Sequence, residues 1–280
     1  MMSGQGKTKS SFLPLQTVCK NRFPFTIACP SFVYPAGYAE NVCRLAPFVD
    51  EIQLLFFESA PRSLPSMELI RDLSELAVGE RIGYNVHLPT DVYPGHPAPA
   101  ERRRAVEAIR SVVQRCQALR PSTFTLHLES NPVEAPEVPV DHWRQYLLES
   151  VQGVLKGVTN PRTICVENLA YPFEWVAPVI ESADLSVCMD MGHLLAHGID
   201  LEKFYGNWKE RIATVHLHGV DGTNDHLPLD RLSDQNMAAV VGLLKRFGGV
   251  VVVENYSQPA LNASLAVLAD HWPRLEGEGI

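Results

Sequence analysis

The sequence has no apolar run approaching the ~18 residues of a membrane-spanning helix, which argues against a helical membrane protein. Met1 to Ser10 mix Lys, Ser and Gly and lack the apolar stretch of a secretory signal. A soluble, cytoplasmic protein with no membrane partner is therefore expected. Paired cysteines are also missing. The six cysteines (Cys19, Cys29, Cys43, Cys116, Cys165 and Cys188) are scattered without a CxxC pair, which argues against a zinc ribbon or a dithiol redox motif and fits reduced thiols. Basic charge is scarce, with 24 Lys and Arg against 32 Asp and Glu and a formal net charge of −8. Affinity resting mainly on neutralised phosphates, as on duplex DNA, is disfavoured, so no nucleic-acid partner is expected. The nearest approach to a basic run, Arg102-Arg103-Arg104, opens a helical stretch and reads as a solvated helix face.

What is present is a globular composition, 46% hydrophobic and 20% charged over 280 residues. That length is close to the roughly 250 residues of one closed α/β barrel. Eight β-rich runs succeed one another at residues 25–29, 51–57, 83–88, 123–128, 163–168, 185–190, 212–218 and 250–255. Helical patterns lie between them, among others at 67–77, 100–119, 141–158, 202–210 and 232–247. Such alternation allows a doubly wound sheet or a barrel, and the count of eight favours a single (β/α)8 TIM barrel over residues 22–280, preceded by a tail over 1–21. Pro-containing segments at 93–100 and 131–139 follow the third and fourth runs, where barrel enzymes carry long loops that shape a substrate site.

Strand side chains alternate between faces, so each run divides into a helix-facing and a barrel-facing set. Val86 and Leu88 oppose Asn85 and His87; Leu126 and Leu128 oppose Thr125, His127 and Glu129. The same sorting groups Cys165 with Glu167, Cys188 with Asp190, Thr214 with His216 and His218, and sets Glu254 against Val251 and Val253. Six successive strands thus bring His87, His127, Glu167, Asp190, His216 and Glu254 to the C-terminal end, where barrel active sites assemble.

Each of these residues alone is compatible with an ordinary hydrogen-bonded rim position. Together, converging carboxylates in a low-dielectric mouth repel one another unless a cation or protons compensate them. A divalent cation solves that problem, and mixed imidazole and carboxylate donors suit zinc, manganese, iron or cobalt better than calcium. In Asp190-Met191-Gly192-His193 the histidine can turn back over the site; His216-Leu217-His218 supplies one or two imidazoles, and His226 offers another from the following loop. Cys165 and Cys188 lie one layer deeper and read as core.

At these residues the sequence resembles the xylose isomerase-like barrel superfamily over 25–255, which includes sugar epimerases, sugar-phosphate isomerases and endonuclease IV-type phosphodiesterases. The resemblance to its epimerases implies one metal held by Glu167, Asp190, His216 and Glu254. Endonuclease IV-type members add further histidines, which His87, His127, His193 and His226 match. Asn224 departs from the Asp of their Asp-x-His pair, although Asp225 is adjacent, and that puts one of three metals in doubt. Within the superfamily, Ser31-Phe32-Val33-Tyr34-Pro35, the stretch from Asn41 to Asp50, and Tyr84-Asn85-Val86-His87-Leu88-Pro89-Thr90-Asp91 resemble the cobamide-remodelling phosphodiesterase family. That likeness implies hydrolysis in the nucleotide loop of a corrinoid coenzyme, leaving a cobinamide-type product.

The leading expectation is therefore a metal-dependent phosphodiesterase acting on a small nucleotide-like molecule, with Glu167, Glu254 and His193 as catalytic groups. Phosphodiester hydrolysis needs an activated water and positive charge against the developing phosphorane, and neighbouring metals supply both. A sugar or sugar-phosphate isomerase or epimerase is the alternative, in which Glu167 and Glu254 would exchange protons with carbon. That reading leaves His87, His127 and His193 less well explained. A corrinoid- or sugar-binding module without turnover is disfavoured by the complete ligand set, and DNA repair by the acidic balance.

Overall fold

The computed structural model describes residues 12–129 and 138–272. Its strands are β1 (Thr26–Pro30), β2 (Glu51–Leu55), β3 (Gly83–His87), β4 (Phe124–Leu126), β5 (Ile164–Glu167), β6 (Ser186–Asp190), β7 (Ile212–Leu217), an antiparallel hairpin of β8 (Gly219–Asp221) and β9 (Asn224–Leu227), and β10 (Val250–Val253). The helices are α1 (Tyr38–Leu45), α2 (Met67–Glu80), α3 (Pro99–Cys116), α4 (Val140–Val154), α5 (Ala177–Ser182), α6 (Met191–Ala196), α7 (Leu201–Trp208), α8 (Asp234–Leu244) and α9 (Gln258–His271). Eight parallel strands close in the order β1-β10-β7-β6-β5-β4-β3-β2, the expected barrel.

Alternation along the strands drives this closure. Val86, Leu126, Val166, Val187, Met189, Val215, Leu217, Val251 and Val253 are buried against the helices. Removing one such side chain down to alanine costs about 2–5 kcal/mol in a close-packed interior. Inside the barrel, Ala28, Val250 and Val252 form a small apolar plug. Thr214 Oγ1 donates to Thr123 Oγ1 at 2.9 Å, with Cys165 also within reach. Cys165 and Cys188 are fully buried, as core residues would be. Local chemistry sets the helix starts: Ser66, Asp200 and Ser233 each accept a backbone N–H three residues on, at 3.1, 2.9 and 3.2 Å.

Two expectations need correction. The tail expected over 1–21 does not hold for residues 12–21, which lie against the barrel. Leu15 and Cys19 are buried, Cys19 N–H donates to Phe48 O, and Lys20 Nζ reaches the carbonyls of Ala46, Glu80 and Arg81. Of the three arginines opening α3, Arg103 and Arg104 are exposed. Arg102 instead donates to the carbonyls of His96 and Pro97, pairs with Glu149 at 3.0 Å and lies over the Tyr146 ring. It fastens the β3–α3 loop. Of the second Pro-containing segment, residues 131–137 lie outside the described residues.

Candidate metal centre at the mouth of the barrel

Parallel register brings the polar strand ends together. Asp190 on β6 stands beside His216 on β7, Glu167 on β5 beside Cys188, and His87 on β3 beside Thr125. Glu167 occupies the middle. Its Oε2 lies 3.4 Å from His87 Nε2 and 3.1 Å from His127 Nε2. Its Oε1 lies 3.3 Å from His216 Nδ1 and 3.8 Å from His193 Nδ1. One carboxylate thus faces two sets of imidazoles. Beyond it, His216 Nδ1 is 3.3 Å from Glu254 Oε1 and 4.0 Å from Asp190 Oδ2, and His193 Nδ1 is 3.3 Å from Asp190 Oδ2. His226 closes the far side, with Nδ1 3.7 Å from Glu254 Oε2.

All eight residues expected from the sequence (His87, His127, Glu167, Asp190, His193, His216, His226 and Glu254) therefore meet at one end of the barrel. Asn224 does not join them; it is exposed in the β8–β9 hairpin. Asp225 does approach, its Oδ2 lying 3.8 Å from His193 Nε2.

Several supporting residues escaped the sequence reading. Gln53, from β2, reaches across the barrel to His216 Nε2 at 2.9 Å. A His216 tautomer with its proton on Nε2, accepted by the Gln53 carboxamide oxygen in the flipped orientation, leaves the Nδ1 lone pair aimed at Glu167 and Glu254. Asn168 pins the Asp190 backbone from both sides, accepting its N–H at 2.8 Å and donating to its carbonyl at 3.1 Å. Asp190 caps α6 by accepting the His193 N–H at 2.7 Å, which is how the Asp-x-x-His spacing folds back on itself. Asn255 donates to the carbonyls of His226 and Leu227 and so fixes the hairpin that carries His226.

His218 is the imidazole that the sequence left open. The His226 N–H donates to its Nδ1 at 2.9 Å, so the ring's proton sits on Nε2, 3.2 Å from Asp190 Oδ1. That tautomer makes His218 a support for Asp190 rather than a donor to a cation. Gly192 permits the arrangement, because a Cβ there would collide with the His218 ring. At the opposite edge, the Tyr171 hydroxyl is buried without a hydrogen-bond partner. Burial, then the charges of Glu129 and Glu167, hold its pKa above the ordinary phenol value.

Electrostatics divides the carboxylates. Burial works to raise the Glu167 pKa, but His216 and His127 outweigh it and hold it well below the usual range. For Glu254, burial and repulsion from Glu167 and Asp190 prevail over the pull of His216, and its pKa is pushed up to about 7. Burial opposes charge on His127, yet Glu167 and Glu129 carry it up to about 10. Burial lowers His87, and burial followed by the charge of His218 lowers His226 to about 4.

The donor set fits a divalent cation on grounds of spacing, hydrogen bonding and charge. Ligand atoms around a tetrahedral centre at about 2.1 Å stand about 3.4 Å apart, the spacing found around Glu167. His87–Glu167–His216 and Glu167–Asp190–His193 each place one donor atom per residue within 4.8 Å of one another. His216 Nδ1, His226 Nδ1 and Glu254 Oε1 are buried with no hydrogen-bond partner, the state of donors directed at an ion. Three buried carboxylates also need compensating positive charge.

A closed eight-stranded α/β barrel with a histidine–carboxylate centre at the C-terminal ends of its strands narrows the class considerably. The chain belongs to the xylose isomerase-like TIM barrel family, whose sequence model matches residues 49–271. Similar solved structures include a D-tagatose 3-epimerase-like protein, at 18% identity and a TM-score of 0.74, covering 88% of this chain and 97% of that one. Endonuclease IV from Thermus thermophilus is 17% identical with a TM-score of 0.68, covering 88% and 98%. The IolI protein, solved with a bound zinc atom, is 13% identical with a TM-score of 0.69, covering 90% and 100%. Identities this low establish a shared fold and nothing finer. Among the described residues, no helix is long and apolar enough to cross a membrane.

Proposed function

We propose that this protein is a metal-dependent phosphodiesterase that hydrolyses the nucleotide loop of a cobamide and leaves a cobinamide-type product. The observation that carries the reading is Glu167, whose two oxygens face separate imidazole sets, His87 with His127 and His216 with His193. A single-metal carbon-proton exchange needs no metal ligands in the first set and leaves it to substrate binding or structure. Phosphoryl chemistry uses them, because charge spread over several phosphate oxygens calls for more than one positive centre. The likeness of the β1–α1, α1–β2 and β3 segments to the cobamide-remodelling family supplies the substrate.

In this reading Glu167, Asp190, His216 and Glu254 would hold one divalent transition metal, and His87 and His127 with Glu167 would hold a second. His193, His226 and Asp225 lie together on the far side, where a third would be held. Bound metal supplies Lewis acidity toward the phosphate and lowers the pKa of water. The chain's own part is positional: Gln53, Asn168, His218 and Asn255 fix the donors, while Glu254, pushed up to about 7 in the metal-free chain, must give up its proton to take part in holding the cation.

The Glu254 observation also favours a second reading, a sugar or sugar-phosphate epimerase in which Glu254 and Glu167 exchange protons with carbon on opposite sides of a metal-held ketose. The test separates the two directly. Metal-loaded protein is offered adenosylcobalamin and several ketohexoses, and the products are identified by mass spectrometry and chromatography. A cobinamide-type product supports the phosphodiesterase; ketose epimerisation without corrinoid cleavage replaces it with the epimerase.

A further inference from the structure

Beside the metal centre, at the C-terminal ends of β1 and β2, lies a cavity of about 480 Å³ lined by Phe32, Tyr38, Phe57, Glu58, Arg62 and Leu64, among others. We propose that this cavity receives the planar, nitrogen-containing base of a nucleoside-like substrate; the inference rests on the phosphodiesterase reading and extends it.

Its walls are aromatic and fixed. Tyr38 stands between the Phe32 ring at 5.0 Å and the Phe56 ring at 5.3 Å, and its hydroxyl donates to Leu55 O at 2.6 Å. The backbone leading to Phe32 is tied to β2, since Ser31 N–H donates to Gln53 O and Ser31 Oγ accepts from Leu55 N–H. On the other side, the Asp91 carboxylate accepts from Ser59 N–H and Oγ–H, and Thr90 N–H donates to Phe57 O. The cavity is therefore preformed rather than collapsed around a mobile loop.

Its chemistry suits a flat heterocycle. Phe32 packs against Tyr38 yet leaves 42% of its surface in solvent, ring surface that a flat ligand can cover. Bases stack on such rings whatever their sequence identity, because every base has a π-face. An aliphatic chain would gain burial there but no ring-on-ring contact. Arg62, which also lines the cavity, carries guanidinium donors suited to an unprotonated ring nitrogen.

Distance joins the cavity to the reaction. Phe57 lines it and also stands edge-on to His87, ring centroids 4.8 Å apart. One phenyl ring separates the cavity from the metal centre, as one ribose separates base from phosphate in a nucleotide. A base seated on Phe32 would bring the adjoining phosphodiester toward Glu167.

Equilibrium dialysis tests this with 5,6-dimethylbenzimidazole ribonucleoside as probe and ribose 5-phosphate as base-free control, on zinc-loaded protein. The wild type should bind the nucleoside, Phe32→Ala should weaken binding by about tenfold or more, and Phe32→Trp should restore it. Ribose 5-phosphate should bind both proteins alike. Because Phe32 is half exposed, all three should share one unfolding midpoint. Absence of nucleoside binding by the wild type, or equal binding by Phe32→Ala, overturns the inference. Corrinoid cleavage by the same preparations separates this claim from the one beneath it. Nucleoside binding that depends on Phe32, without corrinoid cleavage, removes the proposed reaction and keeps the cavity's assignment. Corrinoid cleavage with an unchanged KM in Phe32→Ala does the reverse.

Discussion

Gln53 and His216 meet across the interior of the barrel, the carboxamide nitrogen position 2.9 Å from His216 Nε2. Because that contact sets which ring nitrogen carries the proton, it sets which nitrogen is free to hold a metal. Gln53→Leu, close in volume, should lower zinc affinity by about 10- to 100-fold while shifting the unfolding midpoint of the metal-free protein little. Competition with a chromophoric chelator gives the affinity. Unchanged affinity would reduce Gln53 to a core residue.

His127 sits at the rim and partly exposed, in contact with Glu167 and Glu129. His127→Asn should lower turnover by orders of magnitude with little loss of stability, since no buried apolar surface is removed. A large fall in the unfolding midpoint with activity intact would assign it to packing.

Glu254 makes metal binding sensitive to pH. Its pKa, ordinarily 4.5, is pushed up to about 7, so below that pH it holds a proton that competes with the cation. The sign follows for stability: in metal-free protein this contribution is present below 4.5 and is lost as pH rises through about 7. Zinc affinity should therefore fall at least about tenfold per pH unit below 7, and His127, held up to about 10, adds a second competing proton. Chelator competition at pH 6, 7 and 8 checks the slope. A flat profile would mean that Glu254 is no ligand.

The surface should not hold DNA. With a formal net charge of −8, too few counterions are released on contact for useful duplex affinity at physiological salt. A filter-binding or anisotropy titration should show no saturation at micromolar protein. Incision of abasic DNA at the rate of a repair enzyme would contradict this.

The barrel and six of the eight candidate residues could be read in the sequence because they follow from a period of two ending at a strand terminus: His87, His127, Glu167, Asp190, His216 and Glu254 each follow a Val, Leu or Met that packs outward, whereas His193 and His226 lie beyond strand ends and rest on the Asp190-x-x-His193 spacing and on the loop after the seventh run. Gln53 could not be read the same way. Its partner is 163 residues away, and only barrel closure brings them together. A signal was present, since Gln53 is the lone amide among apolar neighbours in β2. Helix α6 begins directly at Asp190, and its six residues are too few to show a helical period. Residues 12–21 carry no periodicity because they are anchored by individual hydrogen bonds, those of Lys20 Nζ among them, and by two buried side chains, Leu15 and Cys19. The role of His218 depended on a tautomer fixed by the His226 amide, which spacing does not encode.

The central claim is that Glu167 joins two metal positions that together cleave a corrinoid phosphodiester. The most direct measurement is incubation of metal-quantified protein with adenosylcobalamin, followed by mass spectrometry, for the wild type and for Glu167→Gln. The account predicts that the wild type carries at least two equivalents of transition metal and releases a cobinamide-type product, and that Glu167→Gln loses both metal and product. Full cleavage in excess chelator, or a metal-replete wild type that leaves the corrinoid intact while epimerising a ketose, would contradict it.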